Sequence, residues 1–242
     1  MSLFRLLHTT DWHIFDPNRK EEKLRKGFYK DYINGLYAKV KEQGLERIDL
    51  LVCSGDFIDR GTVQNFDHAK VVLDYLLEKF ELNPDQIITT VGNHDIHVLD
   101  PSHGDMSAYQ AFIAHYKPKK IIFQDSIHQI VEYPNKVYVV ELNSVFNAEG
   151  SIHTDSTNKY IVKPCILTDE SIDLVVNNVQ TYVSQPNLII IVSHFPLSIN
   201  ARAEQITEEP NWVEKQLWKQ GKFIMQRITN HRLNDNIVCL CG

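Results

Sequence analysis

Asp11 and His13 stand on either side of Trp12, directly after the apolar stretch LFRLLHTT (3–10). Asp56 opens the run Asp56-Phe57-Ile58-Asp59-Arg60-Gly61 after DLLVCSG (49–55). Asn93-His94-Asp95 follows QIITTVG (86–92), and His194 follows NLIIIVS (187–193). Carboxylate, amide and imidazole groups are all metal donors, and a set containing imidazoles suits manganese, iron or zinc better than calcium or magnesium. No cysteine belongs to the set, which argues against a thiolate-held structural zinc. Asp11, His13, Asp56, Asn93 and His194 exceed the needs of one open catalytic ion and approach those of two. Two ions about 3.5–4 Å apart can share a carboxylate, activate a bridging water and clamp both oxygens of an in-line displacement at phosphorus. A metal-bound water with its pKa lowered to about 7 supplies the nucleophile, so no Ser or Cys nucleophile is required.

These residues need elements that bring them together. The apolar stretches named above, with NIVCLCG (236–242), are short and nearly unbroken, the pattern of strands in a sheet covered on both faces. Between them lie helical periods: Leu24, Phe28, Tyr32, Leu36 and Val40; Phe66, Ala69, Leu73, Leu76, Leu77 and Phe80; Ile172, Val175, Val176, Val179 and Val183. Around 120–145, IIFQD, HQIVEY and KVYVVELNS read as consecutive strands of an antiparallel part. The alternation predicts an α/β fold. Ligands of open α/β sheets bind outside the carboxyl ends of the strands, where all four polar clusters fall. Asn147 to Asn158, rich in Ser, Thr, Asn and Asp, reads as a surface loop.

The 242 residues (28.1 kDa) suffice for one large domain or two small ones, and 43% hydrophobic with 23% charged residues is ordinary for a globular chain. The net charge of −6 lowers the expectation of a nucleic-acid partner, because phosphate neutralisation favours a basic excess. No apolar run approaches the roughly 20 residues that cross a bilayer, and the N-terminus lacks a signal peptide's apolar stretch. The four cysteines show no framework spacing. A cytoplasmic protein without membrane contact is expected. No Gly-rich loop ending in Lys-Ser/Thr is present, which disfavours P-loop nucleotide binding.

Asp11-x-His13, Gly55-Asp56-x-x-Asp59-Arg60, Gly92-Asn93-His94-Asp95 and the isolated His194 resemble, in order, the first four motifs of calcineurin-like metallophosphoesterases. The resemblance spans nearly the whole chain. It implies one domain over residues 1–242, a four-layer α-β-β-α sandwich of two mixed sheets, and two divalent or trivalent ions (Mn, Fe or Zn) at the strand ends. It implies that Asp11 and His13 hold the first ion, Asp56 bridges, and Asn93 and His194 hold the second. His94 would protonate or stabilise the leaving oxygen, oriented by Asp59, and Arg60 would contact phosphate oxygens. The family's fifth motif, Gly-His-x-His, has no counterpart: the last stretch reads Ile237-Val238-Cys239-Leu240-Cys241-Gly242. The expectation is therefore a sequence cut at the first residue of that motif.

The implied activity is metal-dependent hydrolysis of a phosphate monoester or diester. Gly-Asp-Phe-Ile-Asp-Arg-Gly is similar to the second motif of Ser/Thr phosphoprotein phosphatases, whereas Gly-Asn-His-Asp is nearer the broader bacterial phosphoesterases. Leu7-His8-Thr9-Thr10-Asp11-Trp12-His13 is similar to the opening of double-strand-break repair nucleases, which generally lack the arginine that Arg60 supplies. A DNA nuclease and a non-catalytic interaction module on the same fold are the alternatives. The partner expected is a phosphorylated substrate, with nucleic acid less favoured and protein partners unknown. Other residues have plainer readings. His97 and His103 belong to a solvated loop, and His8 packs in its strand. Cys239 and Cys241 share one strand face as small apolar residues. Trp212, Val213, Lys215, Lys219, Lys222 and Arg227 lie on a C-terminal helix whose basic face is solvated.

Overall fold

The computed structural model describes residues 3–14, 28–59, 62–100, 103–145, 152–154, 160–186, 188–197, 218–232 and 235–242. In chain order the elements are β1 (Leu6–Thr9), α1 (Phe28–Glu42), β2 (Leu50–Cys53), α2 (Val63–Lys79), β3 (Ile87–Thr89), β4 (His97–Asp100), β5 (His103–Asp105) and α3 (Ser107–Ile113). There follow β6 (Ile121–Gln124), β7 (His128–Tyr133), β8 (Val137–Leu142), β9 (Ile152–Thr154), β10 (Tyr160–Val162), α4 (Asp169–Tyr182), β11 (Leu188–Ser193), α5 (Lys219–His231) and β12 (Ile237–Cys241). One sheet has the order β1-β2-β3, all parallel, with Leu7 beside Leu51 and Val52 beside Ile88. The other has the order β12-β11-β8-β7-β6 and is mixed: β8, β11 and β12 run parallel, and β6, β7 and β8 form an antiparallel meander. Among the described residues, no helix is long and apolar enough to cross a membrane.

Period-two alternation explains the layering. Leu50, Val52 and Ile88 of the first sheet form a buried cluster with Val131, Val137, Val139, Ile190 and Val192 of the second. Their sequence neighbours Leu51, Cys53, Ile87, Tyr138, Val140, Ile189 and Ile191 turn the other way and join the larger core with the apolar faces of the helices. Both faces of the central strands are thus buried, as their unbroken apolar runs predict. Each fully buried aliphatic side chain contributes about 1.5–3 kcal/mol relative to exposure. Helix α1 packs on α2, α2 on α3, and α4 on α5 and on β6 and β7, which completes the four-layer α/β sandwich. The helix starts are set locally. Thr62 caps α2 by accepting from the Asn65 N–H, and Thr168 caps α4 by accepting from the Ser171 N–H, with Asp169 and Glu170 in the first turn.

The fold departs from the sequence reading in places. Within the stretch read as a surface loop, Ile152–Thr154 is a strand paired antiparallel with β10, with Ile152 buried. His97 and His103 lie in the paired strands β4 and β5 rather than in an irregular loop. Cys239 is exposed, because β12 is an edge strand open on one side. Trp212, Val213, Lys215 and Leu24 lie outside the described residues. Lys219 and Lys222 are exposed on α5 as expected, whereas Arg227 pairs with Asp173 of α4.

Trp218, just before α5, is fully buried, and its indole N–H donates to the Cys165 carbonyl at 2.8 Å. Trp218→Phe keeps an aromatic ring but removes that donor. The expected loss is about 1–3 kcal/mol of unfolding free energy, read as a lower urea midpoint.

Candidate metal centre

Two loops leave parallel neighbours and stay paired past the strand ends. Asp11 N–H donates to the Gly55 carbonyl at 3.3 Å, His13 N–H to the Asp56 carbonyl at 3.0 Å and Ile14 N–H to the Phe57 carbonyl at 2.9 Å. The path requires left-handed backbone at Asp11 (φ 53°), His13 (φ 42°), Asp56 (φ 52°) and Gly55 (φ 90°). Asp and His are among the non-glycine residues most tolerant of this region, yet each such residue costs on the order of 1 kcal/mol or more. Gly55 and Gly92 cannot be replaced freely: a Cβ on Gly55 would lie 2.7 Å from His194 Nδ1, and one on Gly92 would lie 2.2 Å from Asp56 N. The strand ends therefore approach each other backbone to backbone, as close as side-chain-free residues allow.

The side chains converge on Asp56, which is 3% exposed. Its Oδ2 is 3.7 Å from His13 Nε2, which is also 3.6 Å from Asp11 Oδ1. Its Oδ1 is 3.5 Å from His194 Nε2 and accepts the His94 N–H at 2.9 Å. His194 Nε2 lies 2.8 Å from Asn93 Oδ1. Asp56 is thus flanked by Asp11 and His13 on one side and by Asn93 and His194 on the other. Asp59 and His94 border His13: the two imidazoles meet edge to face with centroids 4.7 Å apart. His94 Nδ1 is 3.1 Å from the Asp59 carbonyl oxygen and 3.8 Å from its carboxylate, so the main chain of Asp59 holds this ring. The structure gathers Asp11, His13, Asp56, Asp59, Asn93, His94 and His194 at one point. Arg60 lies outside the described residues.

The donor set fits a cation. His194 Nδ1 is 2.9 Å from the Ser54 carbonyl, which can only accept, so Nδ1 carries a proton and Nε2 is the nitrogen that presents a lone pair whenever the ring is neutral. That lone pair faces the oxygens of Asn93 and Asp56. Acceptors meeting acceptors with no proton between them is the arrangement a metal ion satisfies, and a backbone carbonyl fixing the far nitrogen is the usual support of a ligating histidine. The Asp11–His13 pair is polarised alike. Burial pushes the Asp11 carboxyl up, but hydrogen bonds from His13 and Thr10 with the charges of His194 and His13 outweigh it and hold the group below its ordinary value. The Asp11 hydrogen bond, aided by the charges of Asp56, Asp11 and Asp59, raises His13 against the opposing effect of burial.

Two supports escaped the sequence reading. Asp95 is fully buried; its carboxylate accepts the Gly92 N–H at 2.8 Å and the Ile58 N–H at 3.2 Å, tying the loop after β3 to the loop after β2. Burial and the neighbouring Asp56 charge hold its carboxyl well above the ordinary range. Its place at the end of Gly92-Asn93-His94-Asp95 was the available signal, since an Asp closing a tight turn often bonds its own backbone. The second is Ser54, whose carbonyl fixes His194 and whose hydroxyl is 2.8 Å from His8 Nε2. Burial lowers the pKa of His8, in keeping with a packed strand residue. Gly242 N–H donates to the His194 carbonyl at 2.8 Å, so the end of β12 runs beside the same loop.

A sequence model of calcineurin-like phosphoesterases matches residues 4–227. The chain belongs to this family. Among solved structures, this calcineurin-like phosphoesterase is similar to a dimetal phosphatase from Danio rerio, with 13% identity, a TM-score of 0.54, and coverage of 98% of this chain and 79% of that one. It is also similar to a 5'-nucleotidase from Candida albicans SC5314, with 16% identity, a TM-score of 0.49, and coverage of 100% of this chain and 43% of that one. The first of these likenesses shows the fold alone. A comparison with curated proteins finds no match. Family membership makes the protein a metal-dependent phosphoesterase, a hydrolase, and its residues offer the donors that such metal ions require.

Proposed function

We propose that this phosphoesterase uses two metal ions, manganese, iron or zinc, to hydrolyse a phosphate monoester or diester. The observation that supports this reading is Asp56, whose two carboxylate oxygens face the two halves of the donor set. Asp11 and His13 would hold one ion, Asn93 and His194 the other, and Asp56 both. When bound, the ions supply Lewis acidity and lower the pKa of a coordinated water to about 7. The protein's own groups do the rest. With Nδ1–H donated to the Asp59 carbonyl, His94 is a base at Nε2 when neutral and a proton donor there as imidazolium. It is assigned the role of protonating or stabilising the leaving oxygen. Arg60 is assigned the phosphate oxygens.

Elemental analysis of the purified chain, with hydrolysis of p-nitrophenyl phosphate, bis-p-nitrophenyl phosphate and single-stranded DNA in manganese, tests the proposal. About two equivalents of metal with turnover of either chromogenic ester supports it; no metal and no turnover sinks it. DNA cleavage identifies a nuclease. His94→Ala is expected to lower kcat about 10²-fold with metal content unchanged, since a general acid contributes about 10²–10⁴-fold. Loss of metal in that variant would instead make His94 part of the donor set.

A further inference from the structure

A cavity of about 680 Å³ opens between the edges of the two sheets, with β3 on one side, β6, β7 and β8 on the other and α3 over it. None of the metal-centre residues lines it. On the inner face of β8 the series Val137, Val139 ends in Glu141, and on the inner face of β7 the series Tyr133, Val131 ends in Gln129, directly opposite in register. A carboxyl therefore occupies a place where the sandwich pattern calls for an aliphatic side chain. The Gln129 amide donates to Glu141, and no Lys, Arg or His pairs with Glu141 among the described residues. Tyr109 of α3 also lines the cavity; it is 5% exposed and its hydroxyl makes no hydrogen bond of normal geometry, with Thr89 beside it.

We propose that this cavity binds an amphipathic organic amine, its ammonium group held by the Glu141 carboxylate and the Tyr109 hydroxyl oxygen, its apolar body against Ile88 and Ile113. An ammonium brings three donors to a place that offers acceptors, where the one lysine or arginine of the lining, Lys117, is exposed and forms no ion pair with Glu141. A half-buried carboxylate without a cationic partner is costly, and a cation of complementary geometry offsets that cost. Burial pushes the Glu141 carboxyl up to about 8, so an arriving cation displaces its proton to solvent. Of the other titratable groups near this carboxyl, Asp125 is occupied by the Ile127 and His128 N–H groups at 2.8 and 2.7 Å, burial raises Tyr109 and Tyr133, and burial lowers His128, which stands 3.0 Å from Asp125. An anionic ligand would add charge that the cavity already disfavours.

The test is calorimetric titration of the whole chain with benzylamine, benzyl alcohol and benzoate, with and without manganese. Benzylamine is expected to bind at least about tenfold more tightly than benzyl alcohol, a difference of about 1.4 kcal/mol, and benzoate not at all. Glu141→Gln should erase the preference for the amine, and Tyr109→Phe should weaken amine binding several-fold. Equal binding of amine and alcohol, unchanged binding in Glu141→Gln, amine binding that requires manganese, or no binding of any probe each overturns the proposal.

Discussion

Asp56→Asn is expected to lower kcat for phosphoester hydrolysis by about 10³-fold or more, the scale of losing a group that acts with its neighbours as a unit. Metal content should fall by at least half. The substitution is suited to the question because it leaves almost everything else in place. Asparagine, like aspartate, accepts left-handed backbone, so the φ of 52° at this position adds no new strain. Its Oδ1 can still accept the His94 N–H that Asp56 accepts at 2.9 Å. What disappears is the negative charge and the second anionic oxygen, the one 3.7 Å from His13. Stripped of metal, the variant should therefore melt near the temperature of the metal-free parent, and with manganese it should be inactive. Activity within a few-fold of the parent at saturating manganese would remove Asp56 from the role of a shared ligand. Asn93→Ala is the natural comparison, because Asn93 touches one half of the donor set, at His194.

Why Asp56 could be found in the sequence, and Ser54 or Asp95 could not be given a task, follows from where each kind of information resides. The runs ending at Cys53, Thr89 and Ser193 are strands buried on both faces of the sandwich, the edge run ending at Thr9 is half-covered on both, and that requirement is written as unbroken apolar residues. Polar residues just beyond those ends are conspicuous, and parallel pairing brings the ends to one side of the molecule. The tautomer of His194 is a different matter. It depends on a main-chain carbonyl 140 residues away, which any residue at position 54 could supply. Asp95 was visible as a turn residue, but its bond to the Ile58 N–H depends on how two loops stack. The strand Ile152–Thr154 sits in a polar stretch with no alternation long enough to show itself, and exists through pairing with β10. Glu141 was passed over for the opposite reason: inside VYVVEL it reads as the polar end of a strand, and only the second sheet turns its face inward.

Glu141→Gln is expected to stabilise the protein, and by an amount that grows with pH. Desolvation raises the folded-state pKa of this carboxyl to about 8, partly opposed by the Gln129 hydrogen bond, against an ordinary value of 4.5. For a carboxyl shifted upward, the folded state binds the proton more tightly than the unfolded chain does. Its contribution is complete below about pH 4.5 and is lost progressively as pH rises towards 8. At one pKa unit per 1.36 kcal/mol, the loss across that window is on the order of 3–5 kcal/mol. Glutamine cannot ionise and keeps a carbonyl oxygen to accept from Gln129, so the variant carries no such loss. Urea unfolding of both proteins at pH 5 and pH 8 should show nearly equal stability in acid and a gap of several kcal/mol in favour of the variant at the higher pH, roughly 10 °C in Tm for a chain of this size. Parallel stability curves would mean that the carboxyl reaches water and that the inner layer is open at this end. Saturating benzylamine at pH 8 separates the carboxyl's burial from its proposed ligand. A cation that binds the folded parent should close most of the gap by mass action, while the variant, lacking the carboxylate, should gain little.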